Sequence, residues 1–304
     1  MASQSADVRD GIIAGLVAYL IWGFLPIYFK TIASVEPLEV LSHRILWAVP
    51  FGAAILFARR QWAEVRRALT HRVMLAWLTL SAIFIAANWL IYIWAIQDER
   101  IFETSLGYYI NPLFYMLVGV VFLGERLRRL QTLAVVLAAI GVMVLTISGG
   151  KLPWVALSLA ATFTTYGVIR KRVVIGGMPG LFVETLLLAP LALVWFIGFS
   201  QGGHAVFGSG DGSMTFWLVM AGPITAVPLL CFALAARRLP LTTIGFMQFL
   251  APTLQFGTGI YYGEPLTTAH LVCFGCIWVA VAFFSFDALA AGKKKPPQEK
   301  PARA

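Results

Sequence analysis

The chain has 304 residues, of which 60% are hydrophobic and 12% charged, and its formal charge is +9. That balance excludes a water-soluble globular domain and points to a polytopic membrane protein. The positive charge needs no nucleic-acid partner, because topology and contact with anionic lipid account for it.

Ten apolar runs follow one another, each long enough to cross about 30 Å of hydrocarbon as a helix. In chain order they cover 11–29, 38–57, 73–95, 102–123, 130–147, 153–169, 180–199, 213–235, 241–262 and 269–289. The runs are continuous, which indicates helices, since the strands of a membrane barrel alternate and are shorter. The first run is read as a span and not as a cleaved leader, because it has no small-residue cleavage site. Residues 1–10 are expected to be a cytoplasmic N-terminus, and the Lys- and Pro-rich stretch 291–304 a disordered cytoplasmic tail.

The chain repeats itself. The stretch GYYINPLFYMLVGVVFLGERL from Gly107 returns as GFMQFLAPTLQFGTGIYYGEPL from Gly245. Pro112 and Pro252, Gly119 and Gly259, Pro50 and Pro190, Trp77 and Trp217, and Lys30 and Arg170 are all 140 residues apart. This offset predicts two five-helix repeats, 11–148 and 149–290. Of the 23 Lys and Arg residues, all but Lys30, Arg44, Arg100 and Lys151 fall on the side that receives both termini, which places the termini in the cytoplasm. Five helices starting inside finish outside, so the second repeat is inverted. Inverted repeats suit a transporter whose site lies between them near the midplane.

The strings YLIWGFLPIYFK, SHRILWA, NWLIYIWA, SLGYYINPL, FLGERL, GPITAVPLL and FLAPTLQF, in this order, resemble the RarD branch of the EamA-type drug/metabolite transporters. The resemblance covers nearly the whole chain. It implies ten helices as two five-helix repeats, a central cavity, and a bacterial inner-membrane carrier that exports its cargo.

Ionisable groups inside spans are costly and mark functional sites. Arg44 and Glu184 are the two clearest, and they too lie 140 residues apart. Arg44 suits a substrate carboxylate, whose geometry matches the guanidinium fork. Glu184 suits an amino group or a transported proton. The structural alternatives pair Arg44 with Glu39 or Glu103, and Glu184 with Arg170 or Lys171. His43 is a second proton candidate, although a helix points it about 100° away from Arg44.

Softer binding candidates are Trp22, Tyr28, Trp47, Asn88, Tyr92, Tyr108, Asn111, Gln248 and Gln255, which would hold amphiphilic cargo by stacking and hydrogen bonding. Interfacial anchoring of the aromatics and helix–helix bonding of the amides are the competing roles. Pro112 and Pro252 are candidate hinges, since each removes a backbone donor in mid-span. Glu125 is expected to pair with Arg126, Arg128 or Arg129, and Glu264 to cap the following helix or to pair with Lys151.

His71 and His204 fall in loops and His270 opens the last span, so no metal cluster follows. Cys231, Cys273 and Cys276 read as packing residues. No enzyme, ATP-binding or cofactor motif is present. The expected activity is therefore secondary transport by alternating access, proton-coupled or facilitative, of small amphiphilic metabolites such as amino acids, or of drugs such as chloramphenicol. A non-saturating channel and a structural membrane protein are the alternatives.

Overall fold

The computed structural model describes residues 2–124, 126–203 and 205–293; Glu125, His204 and the basic tail from residue 294 lie outside the described residues. Among the described residues the regular structure is α-helix throughout. The first half of the chain forms α1 (Ala2–Gly23), α2 (Leu25–Thr31), α3 (Pro37–Ala58), α4 (Trp62–Thr70), α5 (Arg72–Gln97), α6 (Ile101–Leu123) and α7 (Arg129–Gly149). The second half forms α8 (Trp154–Lys171), α9 (Gly177–Gln201), α10 (Gly212–Arg238), α11 (Leu241–Met247), α12 (Leu250–Tyr261) and α13 (Thr268–Lys293).

Helix occupies all ten expected runs, and eight segments are long and apolar enough to cross a membrane. The two outside that set have identifiable reasons. Ser158, Thr162, Thr164 and Thr165 dilute the apolar run of α8, and the run 241–262 is divided between α11 and α12. Three boundaries differ from expectation. The N-terminus is helical from Ala2, where no Gly or Pro precedes Gly11 to stop it, and α13 takes in the first residues of the stretch read as tail. The arginine-rich loop between the second and third runs contains α4, built from the good helix formers Ala63, Glu64, Arg66, Arg67, Ala68 and Leu69.

Proline explains the helix breaks. Pro26 has no N–H to offer the Trp22 carbonyl one turn earlier, and the helix divides there into α1 and α2. Pro252 stands in the same relation to Gln248, at the division of α11 from α12. Pro112 interrupts nothing: α6 runs through it.

Two compact units draw on both halves of the chain. Among the described residues, 2–114 and 153–266 form one, and 115–152 and 267–293 the other. Within the first, α1 lies along α10, α3 against α9 and α10, and α5 against α8, so neighbours come from opposite halves. A Cβ on Gly222 of α10 would meet the Trp47 carbonyl oxygen at 2.5 Å, so the α3–α10 approach requires glycine there. Phe29, Tyr92, Ile93, Ile96, Val155 and Leu159 fill the core of this unit. In the second unit α7 lies along α13, Arg128 pairs with Asp287 at 2.7 Å, and Cys273 is wholly buried.

Candidate functional site

Arg44 sits on the inner face of α3 and is 6% exposed. Its Nε donates to Thr225 Oγ1 on α10 at 2.9 Å. The guanidinium lies 4.3 Å from the centre of the Trp89 ring and 5.8 Å from that of Phe29. Both ring faces attract a cation, and more strongly without competing water. Its Nη1 is buried and has no partner among the described residues. Neither carboxylate considered from the sequence reaches it. Glu39 accepts from the Val206 and Phe207 amides at 2.9 and 3.2 Å, and Glu103 accepts from Arg100 Nε at 2.8 Å. Both are bound to groups nearer their own helix ends.

Polar aromatic groups gather around Arg44. Tyr28 donates to the Trp217 carbonyl at 2.9 Å, and the Tyr92 and Tyr108 rings lie 5.7 Å apart. Tyr108 donates to Asn88 Oδ1 at 3.3 Å, while Asn88 Nδ2 donates to the Leu159 carbonyl at 3.0 Å and to Thr162 Oγ1 at 2.9 Å. The Tyr92 hydroxyl is buried without a hydrogen-bond partner among the described residues. An orphaned cation nitrogen and an orphaned hydroxyl therefore belong to one aromatic cluster. An apolar core avoids both, since each unpaired buried group costs about 1–3 kcal/mol or more.

Glu184 on α9 is fully buried and has its own partners. Ser81 Oγ donates to its Oε1 at 2.5 Å, Tyr166 Oη to its Oε2 at 3.4 Å, and Arg170 Nε lies 3.6 Å from Oε1. The pairing with Arg170 is the structural alternative read from the sequence. Gly180 makes it possible, because a Cβ there would lie 2.3 Å from two Arg170 nitrogens. Rings join the two charged sites: Tyr108 to Phe163 at 5.9 Å, and Phe163 to Tyr166 at 6.0 Å.

The remaining candidates lie in other groups. His43 accepts from Trp47 Nε1 at 3.2 Å and packs against Phe207 at 4.7 Å and Phe196 at 5.4 Å, with Glu39 Oε1 3.9 Å from its Nε2. His43 and Trp47 line a small apolar side pocket of about 170 Å³ with Pro50 and Leu193. Trp22 and Gln255 meet through the backbone: Gln255 Nε2 donates at 3.1 Å to the Trp22 carbonyl that Pro26 leaves free. Asn111 is buried, its Oδ1 without a hydrogen-bond partner among the described residues, and Gln248 is the half-buried C-cap of α11. Ser105 of α6 donates to the Pro252 carbonyl at 2.8 Å.

Sequence reasoning missed Phe29, Trp89 and Thr225 around Arg44, and Ser81 and Tyr166 around Glu184. Phe29 and Trp89 each adjoin a selected residue and had that signal. Thr225, a lone hydroxyl between Pro223 and Pro228, had little. Glu264 is corrected: it does not cap the helix that follows but reaches back to α6, accepting from the Phe102 amide at 3.0 and 3.2 Å. The start of α6 lacks acceptors for its first amides, which a carboxylate supplies.

Residues 9–147 match the EamA-like transporter family. An uncharacterized transporter of Pseudomonas aeruginosa is 44% identical over 296 residues, covering 96% of this chain and 98% of its own. Protein RarD of Salmonella typhimurium is 43% identical over 293 residues, covering 96% of this chain and all of its own. The chloramphenicol-sensitive protein RarD of Pseudomonas aeruginosa is 31% identical, with 94% of this chain and 97% of its own covered. A crystal structure that is 19% identical shares the fold at a TM-score of 0.61, covering 92% of this chain and 98% of the other.

Proposed function

Because the chain belongs to the RarD branch of the EamA-type drug/metabolite transporters, we propose that it is a secondary carrier that binds its cargo at Arg44 and exports it by alternating access. It is a multi-pass membrane protein of a transporter family, and the names of its family and relatives indicate a transporter rather than an enzyme. The cargo of this reading is a small amphiphile with a carboxylate, an amino acid or related zwitterion first, with drugs such as chloramphenicol as incidental passengers. The membrane is the bacterial inner membrane. Ten spans form two inverted repeats, 11–148 and 149–290, with both termini cytoplasmic.

The observation that carries the reading is the Arg44 guanidinium, buried against Trp89, bonded to Thr225 and left with Nη1 unpartnered. A carboxylate arriving there supplies the acceptor that Nη1 lacks, to a cation with no acidic partner among the described residues. The aromatic faces supply stacking area, and Asn88, Tyr92 and Tyr108 supply polar contacts. Glu184 is the proton site: uptake of a proton would remove its attraction for Arg170, and loss would restore it. A pair that forms in one state and opens in the other couples cargo to the proton gradient.

Counterflow in proteoliposomes loaded with amino acids tests this directly. The wild type is expected to show saturable exchange that Arg44→Ala abolishes. Linear, non-saturating leakage would replace the carrier with a channel, and absence of exchange from folded protein would leave a structural role.

A further inference from the structure

The amphipathic helix α4 takes no part in the site described above, yet it is bonded to the loop that Arg170 also holds. Val65 and Ala68 face inward and are buried, and Trp62 packs on Phe182 of α9 at 5.4 Å. Glu64 Oε2 accepts from the Gly176 amide at 2.8 Å, and Arg67 Nη2 donates to the Val174 carbonyl at 2.6 Å. α4 thus holds the loop between α8 and α9 from outside. Arg170 holds the same loop from within, its Nη2 3.4 Å from the Gly176 carbonyl and its Nε 3.6 Å from Glu184.

The other face of α4 is built for a membrane surface. Trp62 and Leu69 are 41% and 40% exposed on one edge, between Phe57 and Val73, which are 78% and 62% exposed. Arg66 projects beside that edge, and Arg60 and Arg72 stand exposed at the two ends of the helix. The one acid on α4, Glu64, is engaged by Gly176 and does not neutralise them. Exposed apolar side chains with exposed cations beside them match an acyl chain and its phosphate.

We propose that α4 lies in the membrane interface and binds the phosphate of an anionic phospholipid through Arg66, with Arg60 and Arg72 beside it, and that the bound lipid steadies the α8–α9 loop through Glu64. The lipid-binding part stands independently of transport. The consequence for gating rests on the role given to Glu184.

The test uses the purified full-length chain and two readouts that need no transport. Native mass spectrometry with phosphatidylglycerol and phosphatidylcholine reads retention, with inorganic phosphate as competitor. Amide hydrogen exchange of residues 173–177 reads the loop. The wild type is expected to retain phosphatidylglycerol selectively, Arg66→Gln to retain about fivefold less, and Arg66→Gln with Arg72→Gln less again. Phosphatidylglycerol is expected to slow loop exchange in the wild type, while Glu64→Ala, which has no acceptor for the Gly176 amide, retains the lipid but loses the slowing. Equal retention of the two lipids, wild-type retention by the double variant, or displacement by inorganic phosphate would overturn the lipid site. Equal slowing in wild type and Glu64→Ala would overturn the coupling. Absence of carrier exchange, with retention and slowing as expected, would count against the transporter mechanism and not against the lipid site.

Discussion

Thr225 and Trp89 divide the work of holding Arg44: one orients Nε by a hydrogen bond, the other covers the cation with a π-face. The two contributions are separable. Thr225→Val leaves the charge and removes the acceptor, so half-saturation in counterflow should rise about 5- to 10-fold, the equivalent of a hydrogen bond of about 1–1.5 kcal/mol. Arg44→Lys keeps the charge but loses the planar fork, so it should recover little of the exchange lost in Arg44→Ala. At Glu184 the expectation differs in kind. Glu184→Gln should preserve exchange between equal pools and lose acceleration by an imposed pH gradient. Acceleration retained by this variant would move the proton site elsewhere.

Among the elements, the loop after α12 and the start of α6 are joined by Glu264. This residue lies outside the spans, and burial pushes its carboxyl up to about 7 against the opposing pull of the Phe102 amide. A folded-state value above the unfolded one means that the fold favours the protonated form. The associated stability is present below the ordinary carboxyl range and is lost as pH rises through 7. The melting temperature of the wild type should therefore fall between about pH 5 and about pH 8 relative to Glu264→Gln, whose amide does not titrate. The α3–α10 crossing offers a mechanical test. Gly222→Val places a branched side chain against the Trp47 backbone and should cost about 1–3 kcal/mol or more, seen as a lower melting temperature in detergent.

Element by element, the sequence was readable where continuous apolar runs set the outcome. All ten runs are helical, because length and apolarity are local properties. The reading of 59–72 as loop failed because charge density concealed a short helix whose two buried positions, Val65 and Ala68, are a single turn apart. Apart from the Glu184–Arg170 pair, site residues were legible as chemical types and not as neighbours. Arg44 stood out as an intramembrane cation, but its bond to Thr225 spans 181 residues, and no local pattern announces such a partner. Glu264 was assigned to the wrong helix for the same reason, since Phe102 lies 162 residues before it.

At the scale of the whole molecule, the first compact unit interleaves the two halves, and neither half contains a complete site. Arg44, Trp89 and Tyr108 come from one half, and Thr225, Phe163 and Glu184 from the other. The proposed inverted arrangement is tested by side-specific labelling of single cysteines in a cysteine-free background. Ser209→Cys, in the loop before α10, should react with an impermeant maleimide on intact cells, and Thr70→Cys at the end of α4 only after permeabilisation. The reverse pattern, or reaction of both on intact cells, would overturn the topology.

The 181 residues between Arg44 and Thr225 also set a clock. At about 5–20 residues per second, the ribosome needs roughly 10–40 s to deliver the hydroxyl after it has delivered the cation. Trp89 arrives much sooner, only 45 residues after Arg44. During synthesis the nascent chain therefore has the aromatic cover for its buried charge long before the hydrogen bond. An isolated first half would remain indefinitely at that stage, with Arg44 covered by Trp89 and never bonded to Thr225.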